Sequence, residues 1–186
     1  MGAVTLNLDF SKVNPKQKLA LEDKHKYIGY GGARGGGKSW FVRVKAILLA
    51  VFYAGIKVLI VRQTYPELMN NHIREMRNIL YKIAKYVDKE KIFYFPNGST
   101  IQFMYCRNDA DLDRFQGTEF DVIFIDEATH LTEYQIKTIG LCMRGANEFP
   151  KRIYFTTNPG GASHHYFKRI FSDKDYMPDE NPEDYS

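Results

Sequence analysis

The run Gly32-Ala33-Arg34-Gly35-Gly36-Gly37-Lys38-Ser39 constrains this chain more than any other part of it. It fits the pattern G-x-x-x-x-G-K-[ST], which has a mechanism only between a strand and a helix. The flanking residues supply both. Tyr27 to Gly31 reads as a short strand running into glycines. From Lys38, the apolar positions Phe41, Val44, Ile47, Leu48, Val51 and Phe52 recur at helical spacing, and Gly55 closes the helix. Glycines let successive backbone N–H groups turn inward onto phosphate oxygens, where a Cβ would obstruct them. Lys38 is then expected to face the β- and γ-phosphates and the Ser39 hydroxyl to ligate Mg²⁺, while the helix turns its positive end toward the anion. The whole octet, Gly32 to Ser39, is therefore expected to bind a nucleotide.

The remaining pattern alternates strands with helices. A short helix is expected from about Pro15 to Leu21, and a buried strand at Lys57–Arg62. Pro66 opens a helix with the apolar seam Met69, Ile73, Met76, Leu80, Ile83 and Val87. Ile92–Phe95 and Thr100–Cys106 flank Pro96-Asn97-Gly98-Ser99, an Asn-Gly hairpin turn. Val122–Ile125 is a third buried strand, followed by a helix over Thr132–Met143. Arg152–Thr157 is a fourth, followed by a short helix ending near Phe171. This order predicts an α/β fold with a mostly parallel sheet covered on both faces.

Two further motifs carry chemistry. Val122-Ile123-Phe124-Ile125-Asp126-Glu127 is an apolar strand ending in two carboxylates. Behind a phosphate loop, Asp126 would hold the metal through water, and Glu127 would orient and deprotonate an attacking water. That pair favours hydrolysis over transfer to a second substrate. There is no Asn-Lys-x-Asp run to read guanine, so ATP is the expected nucleotide. Thr156, Thr157 and Asn158 stand at the end of the fourth strand, where hydroxyls and an amide could sense a γ-phosphate.

Composition narrows the class. The chain has 186 residues, of which 44% are apolar and 26% charged, which excludes disordered and collagen-like chains. The longest uncharged apolar run, Ala46 to Ile56, is too short to span a bilayer, and no secretory signal pattern opens the sequence. Cys106 and Cys142 form no metal-binding spacing, so a reducing, cytoplasmic setting is expected. From Ser172 onward six carboxylates face Lys174 alone, so the net charge of +4 hides a clearly basic body over residues 1–171. Such a body suits a polyanionic partner. Residues 172–186 are expected to form an acidic, solvated linker or tail.

In combination these motifs resemble the ATPase half of the large terminase subunit of tailed bacteriophages, over roughly residues 12–172. Leu59-Ile60-Val61-Arg62-Gln63-Thr64-Tyr65-Pro66-Glu67-Leu68, Arg114-Phe115-Gln116-Gly117-Thr118-Glu119-Phe120-Asp121 and Asp126-Glu127-Ala128-Thr129-His130-Leu131 carry the likeness. So do Asn14-Pro15-Lys16-Gln17 and Asn158-Pro159-Gly160-Gly161, with His164 and Lys168-Arg169 beyond. The resemblance implies a P-loop fold of the ASCE type, three layers αβα, with the strand of Thr156 between the phosphate-loop strand and the strand of Asp126. It implies that Gln17 reads adenine, that Arg34 is a phosphate sensor or finger in cis, and that Thr156-Thr157-Asn158 couples hydrolysis to movement. Arg114, with no evident partner nearby in sequence, is the candidate finger acting in trans.

As partners the resemblance implies double-stranded DNA, the portal of the procapsid, the small terminase subunit and a ring, most simply of five copies, in the host cytoplasm. A single copy would be a monomer away from the portal, with no membrane role. No acidic cluster of a nuclease is visible in these residues. Two other classes stay open at this stage: a helicase- or repair-type ATPase of the same fold, and an assembly subunit gated by nucleotide without productive turnover. No dense Lys/Arg stripe locates a DNA track, and the lysines Lys82, Lys85, Lys89 and Lys91 fit a solvated helix face as well as one.

Overall fold

Val58 to Val61 and Val122 to Ile125 have no exposed surface at all, which is the signature of strands covered on both faces. The protein is described here from a computed structural model covering residues 5–11, 13–32, 35 and 37–186. In chain order the elements are α1 (Pro15–Glu22), β1 (Tyr27–Gly31), α2 (Lys38–Phe52) and β2 (Lys57–Arg62). Next come α3 (Tyr65–Leu68), a π-turn (Met69–Ile73) and α4 (Arg74–Ile79), which run on as one rod. β3 (Lys85–Val87), β4 (Ile92–Tyr94), β5 (Thr100–Tyr105), β6 (Val122–Ile125), α5 (Glu133–Gly140), β7 (Arg152–Thr157) and α6 (His164–Phe167) complete the set.

The strands form one sheet in the order β1-β7-β6-β2-β5-β4-β3. β1, β7, β6, β2 and β5 are mutually parallel, and β4 and β3 add an antiparallel edge. β7, which carries Thr156, lies between β1 and β6, as the resemblance implied. Alternate strand residues feed two cores. Val58, Ile60, Val122, Phe124 and Tyr154 pack under α2 and the α3–α4 rod. Leu59, Val61, Ile123, Ile125, Ile153 and Phe155 pack under α5 and α6. The outcome is the expected three-layer α/β architecture. Among the described residues no helix is long and apolar enough to cross a membrane.

Two expectations need correction. The helical seam from Met69 to Val87 holds only to Leu80, because β3 begins at Lys85 and pairs with β4. Tyr86 sits 4.7 Å from Phe93, ring centroid to centroid, so the last seam positions are apolar for a strand's reason. Lys82, Lys85, Lys89 and Lys91 accordingly line turns and a sheet edge, not a helix face. The acidic tail keeps most of its residues exposed, yet its end is anchored to the sheet rather than left as a free linker. Ser186 donates to the Tyr27 carbonyl at 3.0 Å and accepts from the Gly29 N–H at 2.6 Å, extending the sheet beside β1. Tyr185 stacks on Tyr27, and Glu180 grips Arg169 through both carboxylate oxygens at 2.7 and 2.8 Å. One arginine and three aromatic rings (Tyr27, Phe171 and Tyr176, all around Tyr185) outweigh the repulsion among the acids.

Candidate functional site

β1 delivers the chain to the phosphate loop and α2 takes it away. Ala33, Arg34 and Gly36 lie outside the described residues, so the cis-finger expectation for Arg34 falls there too. Gly35 and Gly37 have φ of +81° and +72°, the left-handed region that a side chain disfavours. A Cβ on Gly37 would also collide with the Gln17 amide. Lys38 begins α2, is 8% exposed, and donates from Nζ to the Gly32 carbonyl at 3.0 Å. Burial holds its pKa below the usual lysine value, although Asp126 and Glu127 pull it back up. It is a cation facing the mouth of the loop.

Gln17 closes the other side. Its side-chain oxygen accepts from the Asn14 N–H at 2.9 Å, completing a capping box, and its amide donates to the Gly37 carbonyl at 3.3 Å. Both ends of the amide are therefore committed, the oxygen to the cap of α1 and the nitrogen to the phosphate loop. Reading adenine would require exchanging these bonds for the base. Beside it, Asn14, Pro15, Lys16, Tyr30 and Gly31 line a recess of about 450 Å³.

Asp126 follows β6 and is 1% exposed. Its Oδ1 accepts from the Thr156 hydroxyl at 2.5 Å. Its Oδ2 accepts from Arg62 Nε and His72 Nε2, both at 2.7 Å, and from the Ser39 hydroxyl at 3.3 Å. Burial alone would raise the carboxyl's pKa, but the bonds from His72, the charge of Arg62 and the Thr156 hydroxyl hold it well below the usual carboxylate range. Burial keeps His72 itself below its ordinary value. Its Nδ1 is buried without a partner, which fits a neutral ring carrying its proton on Nε2.

Glu127 has φ 53°, ψ 48°, a strained conformation for a residue with a side chain, and such strain collects where geometry is functional. The turn swings its carboxylate out of the core to the rim of a cleft of about 650 Å³ that also takes in Lys38, Ser39, Arg43 and His130. Arg62 Nη2 approaches Glu127 Oε1 at 3.2 Å, Asn158 donates to the same oxygen at 3.3 Å, and His130 Nδ1 lies 3.4 Å from Oε2. The Glu127 N–H donates to the Thr156 hydroxyl at 2.9 Å.

The expected site residues thus divide. Lys38, Ser39 and Glu127 line one cleft together with Gly35 and Gly37, and Asp126 lies beneath it, bonded to Ser39. Thr156 does not reach it: with no exposed surface, its hydroxyl braces Asp126 and Glu127 instead of meeting a phosphate. Strand alternation sets Thr156 on the α2 face with Tyr154, directly beside Asp126, whose carboxylate takes its hydroxyl. Thr157 lines a neighbouring recess with Gly31, and Asn158 borders both openings. Arg114 has a partner after all. It pairs with Asp111 and lies 4.0 Å from the centroid of Tyr105.

The donor set suits a hard divalent cation. The Ser39 hydroxyl and the Asp126 carboxylate are both oxygens and stand within 3.3 Å of each other beside the loop. Glu67, Glu127 and His130 also cluster within 4.8 Å. Glu67, however, already caps α3 through Thr64, and Glu127 already faces Arg62, so that cluster is held by protein donors. Sequence reasoning passed over Arg62, His72 and His130. Nothing in a lone histidine or a strand-end arginine separates them from ordinary core and rim residues until the fold brings Arg62 and His72 to Asp126 and His130 to Glu127.

Solved structures share this fold. The large terminase of a thermophilic bacteriophage superposes with a TM-score of 0.69 at 18% identity, covering 86% of this chain and 42% of that one. The HK97 bacteriophage large terminase gives 0.65 at 15%, covering 91% and 41%. The N-terminal domain of the DNA packaging ATPase from bacteriophage phi29 gives 0.59 at 18%, covering 93% of each. The chain therefore spans about two fifths of the first two of these proteins, and at these identities the likeness speaks for the fold. Among curated proteins no sequence match was found. A family model for the phage terminase large subunit matches residues 24–186, from just before β1 through the docked tail, and the chain belongs to that family.

Proposed function

We propose that this chain is the ATP-hydrolysing part of a DNA-packaging motor, using Mg-ATP to drive double-stranded viral DNA into procapsids. The observation that carries the reading is the meeting of Ser39 and Asp126 across 3.3 Å, with Lys38 and Glu127 on the same cleft. Structures of the thermophilic phage's large terminase hold ADP and ATP-γ-S, which supports a nucleotide in the corresponding loop here. Gly32 to Ser39 would cradle the phosphates, with Lys38 against the β and γ oxygens. Ser39 directly and Asp126 through water would hold Mg²⁺, which when bound neutralises charge developing on the phosphates.

Glu127 takes the proton of the attacking water once it leaves Arg62 and Asn158. Gln17 reads adenine after its bonds to the loop rearrange, and Asn158, which touches Glu127, reports the state of that carboxylate to β7. Arg34 and Arg114 are proposed to serve the γ-phosphate, in cis and in trans, within a ring on the portal that also engages the small terminase subunit. The test is hydrolysis measured by phosphate release, alongside nucleotide binding. Lys38→Ala should abolish turnover. Glu127→Gln should keep bound ATP and lose roughly 10²–10⁴ in rate, the usual contribution of a general base. Normal turnover in either variant would overturn the reading.

A further inference from the structure

His72 belongs to no motif, yet it has no exposed surface and touches the acid on which the cation site depends. A carboxylate oxygen offers about two lone-pair directions. On Asp126 Oδ2 three donors converge, and two of them, Arg62 Nε and His72 Nε2, bond at 2.7 Å. The Ser39 hydroxyl, the third, stands at 3.3 Å, beyond the ordinary range for O–H···O. The two short bonds fill Oδ2, and the serine is left loosely held. Among the described residues Oδ1 bonds only Thr156, which leaves it one direction.

The backbone around His72 is built for this contact. The π-turn Met69–Ile73 advances less per residue than an α-helix, so Leu68, His72 and Met76, four apart, all stay buried on the side facing the sheet. A wide turn loosens the backbone ladder, and side chains restore it. Asn71 donates to the Glu67 carbonyl at 2.8 Å, and Arg43 donates to the Asn71 carbonyl at 2.5 Å. Arg43 stands on α2 one turn beyond Ser39, so the helix that carries the serine also braces the turn that carries the histidine.

We propose that His72 is a positioning residue: together with Arg62 it occupies Asp126 Oδ2 and so leaves the Ser39 hydroxyl free to bind the cation. The proposal deepens the Mg-ATP reading and rests on it. Without the imidazole donor, Oδ2 has a vacant direction, and Ser39 closes onto Asp126 instead of the metal.

Mn²⁺ binding to the ADP-saturated protein, followed by electron paramagnetic resonance, reads the site without turnover. His72→Leu should weaken Mn²⁺ by about tenfold, as losing a partner of a metal ligand commonly does. ADP affinity in EDTA should not change. His72→Gln places an amide donor near the position of Nε2 and should recover most of the Mn²⁺ affinity, although it packs less well than leucine. Should the leucine variant fail to fold, His72→Gln against His72→Asn carries the test, since the chemistry is the same and only the glutamine reaches Oδ2. Native-like Mn²⁺ affinity in a folded leucine or asparagine variant, or a glutamine variant as weak as either, would overturn the proposal. If the native protein binds ADP but no Mn²⁺, the Mg-ATP reading itself fails, and that result is separable because it precedes any substitution.

Discussion

Arg114 shows how a single side chain can be legible as to type and illegible as to neighbours. Sequence placed it ahead of the Asp126 strand without a partner. The fold supplies two, Asp111 and the face of Tyr105 at the end of β5. β5 is four strands from β1, on the order of 19 Å of sheet, but only β2 separates it from β6, which carries Asp126. With its guanidinium held by Asp111 and Tyr105, Arg114 is proposed to serve a neighbouring copy rather than its own nucleotide. Arg114→Ala should therefore leave nucleotide binding intact and lower assembled-motor turnover, by as much as the roughly 10³–10⁵ contributed by arginines in trans. Mixing it with Glu127→Ala subunits should restore some phosphate release, because mixed interfaces contain both groups. Normal turnover by Arg114→Ala in the assembled motor would remove the trans role. Lys38, Ser39, Asp126 and Glu127 were readable because their spacing along the chain is their chemistry. His72 and Arg62 were not, because their role exists only where two segments far apart in sequence meet at Asp126.

At the scale of elements, the sheet was legible wherever a run was apolar on both faces, as in β2 and β6. The Asn97-Gly98 turn was equally clear, with Gly98 at φ +85° between β4 and β5. β3 escaped because three residues with one buried-facing aromatic also satisfy a helical seam. The π-turn escaped because apolar spacing of four and three does not distinguish a wide turn from a normal one. The loop after β7 offers a test of how tightly an element is pinned. Gly161 has φ +96°, and a Cβ there would collide with the Thr129 carbonyl beneath it. Gly161→Ala should lower stability by about 1–3 kcal/mol, the usual cost of one strained backbone position. Urea unfolding would show it, and an unchanged midpoint would mean that the Gly161 loop is free of Thr129.

At the scale of the molecule, the tail's charge does not tell where its end rests, because charge says nothing of Arg169. The Arg169 guanidinium holds the Glu180 carboxyl below its ordinary range, against the opposing effect of burial. A carboxyl depressed on folding stabilises above its unfolded pKa and loses that contribution as pH falls through its folded value. The seat of the tail should therefore be firm near neutrality and loosen on acidification below the ordinary carboxylate range. Amide exchange at Gly29, compared with a core amide such as Ile123, would report local release before global unfolding. Glu180→Gln should exchange faster at neutral pH and lose the acid dependence; native-like exchange would show that Arg169 does not hold the tail. The pairing of Ser186 with Tyr27 and Gly29 has a mechanical meaning as well. β1 runs from those two bonds straight to Gly31 and the phosphate loop, and Phe171 lies over Gly29 where any side chain would stand. Tension at Ser186 loads the strand along its length, in shear, and arrives at the nucleotide's threshold with no slack segment in between.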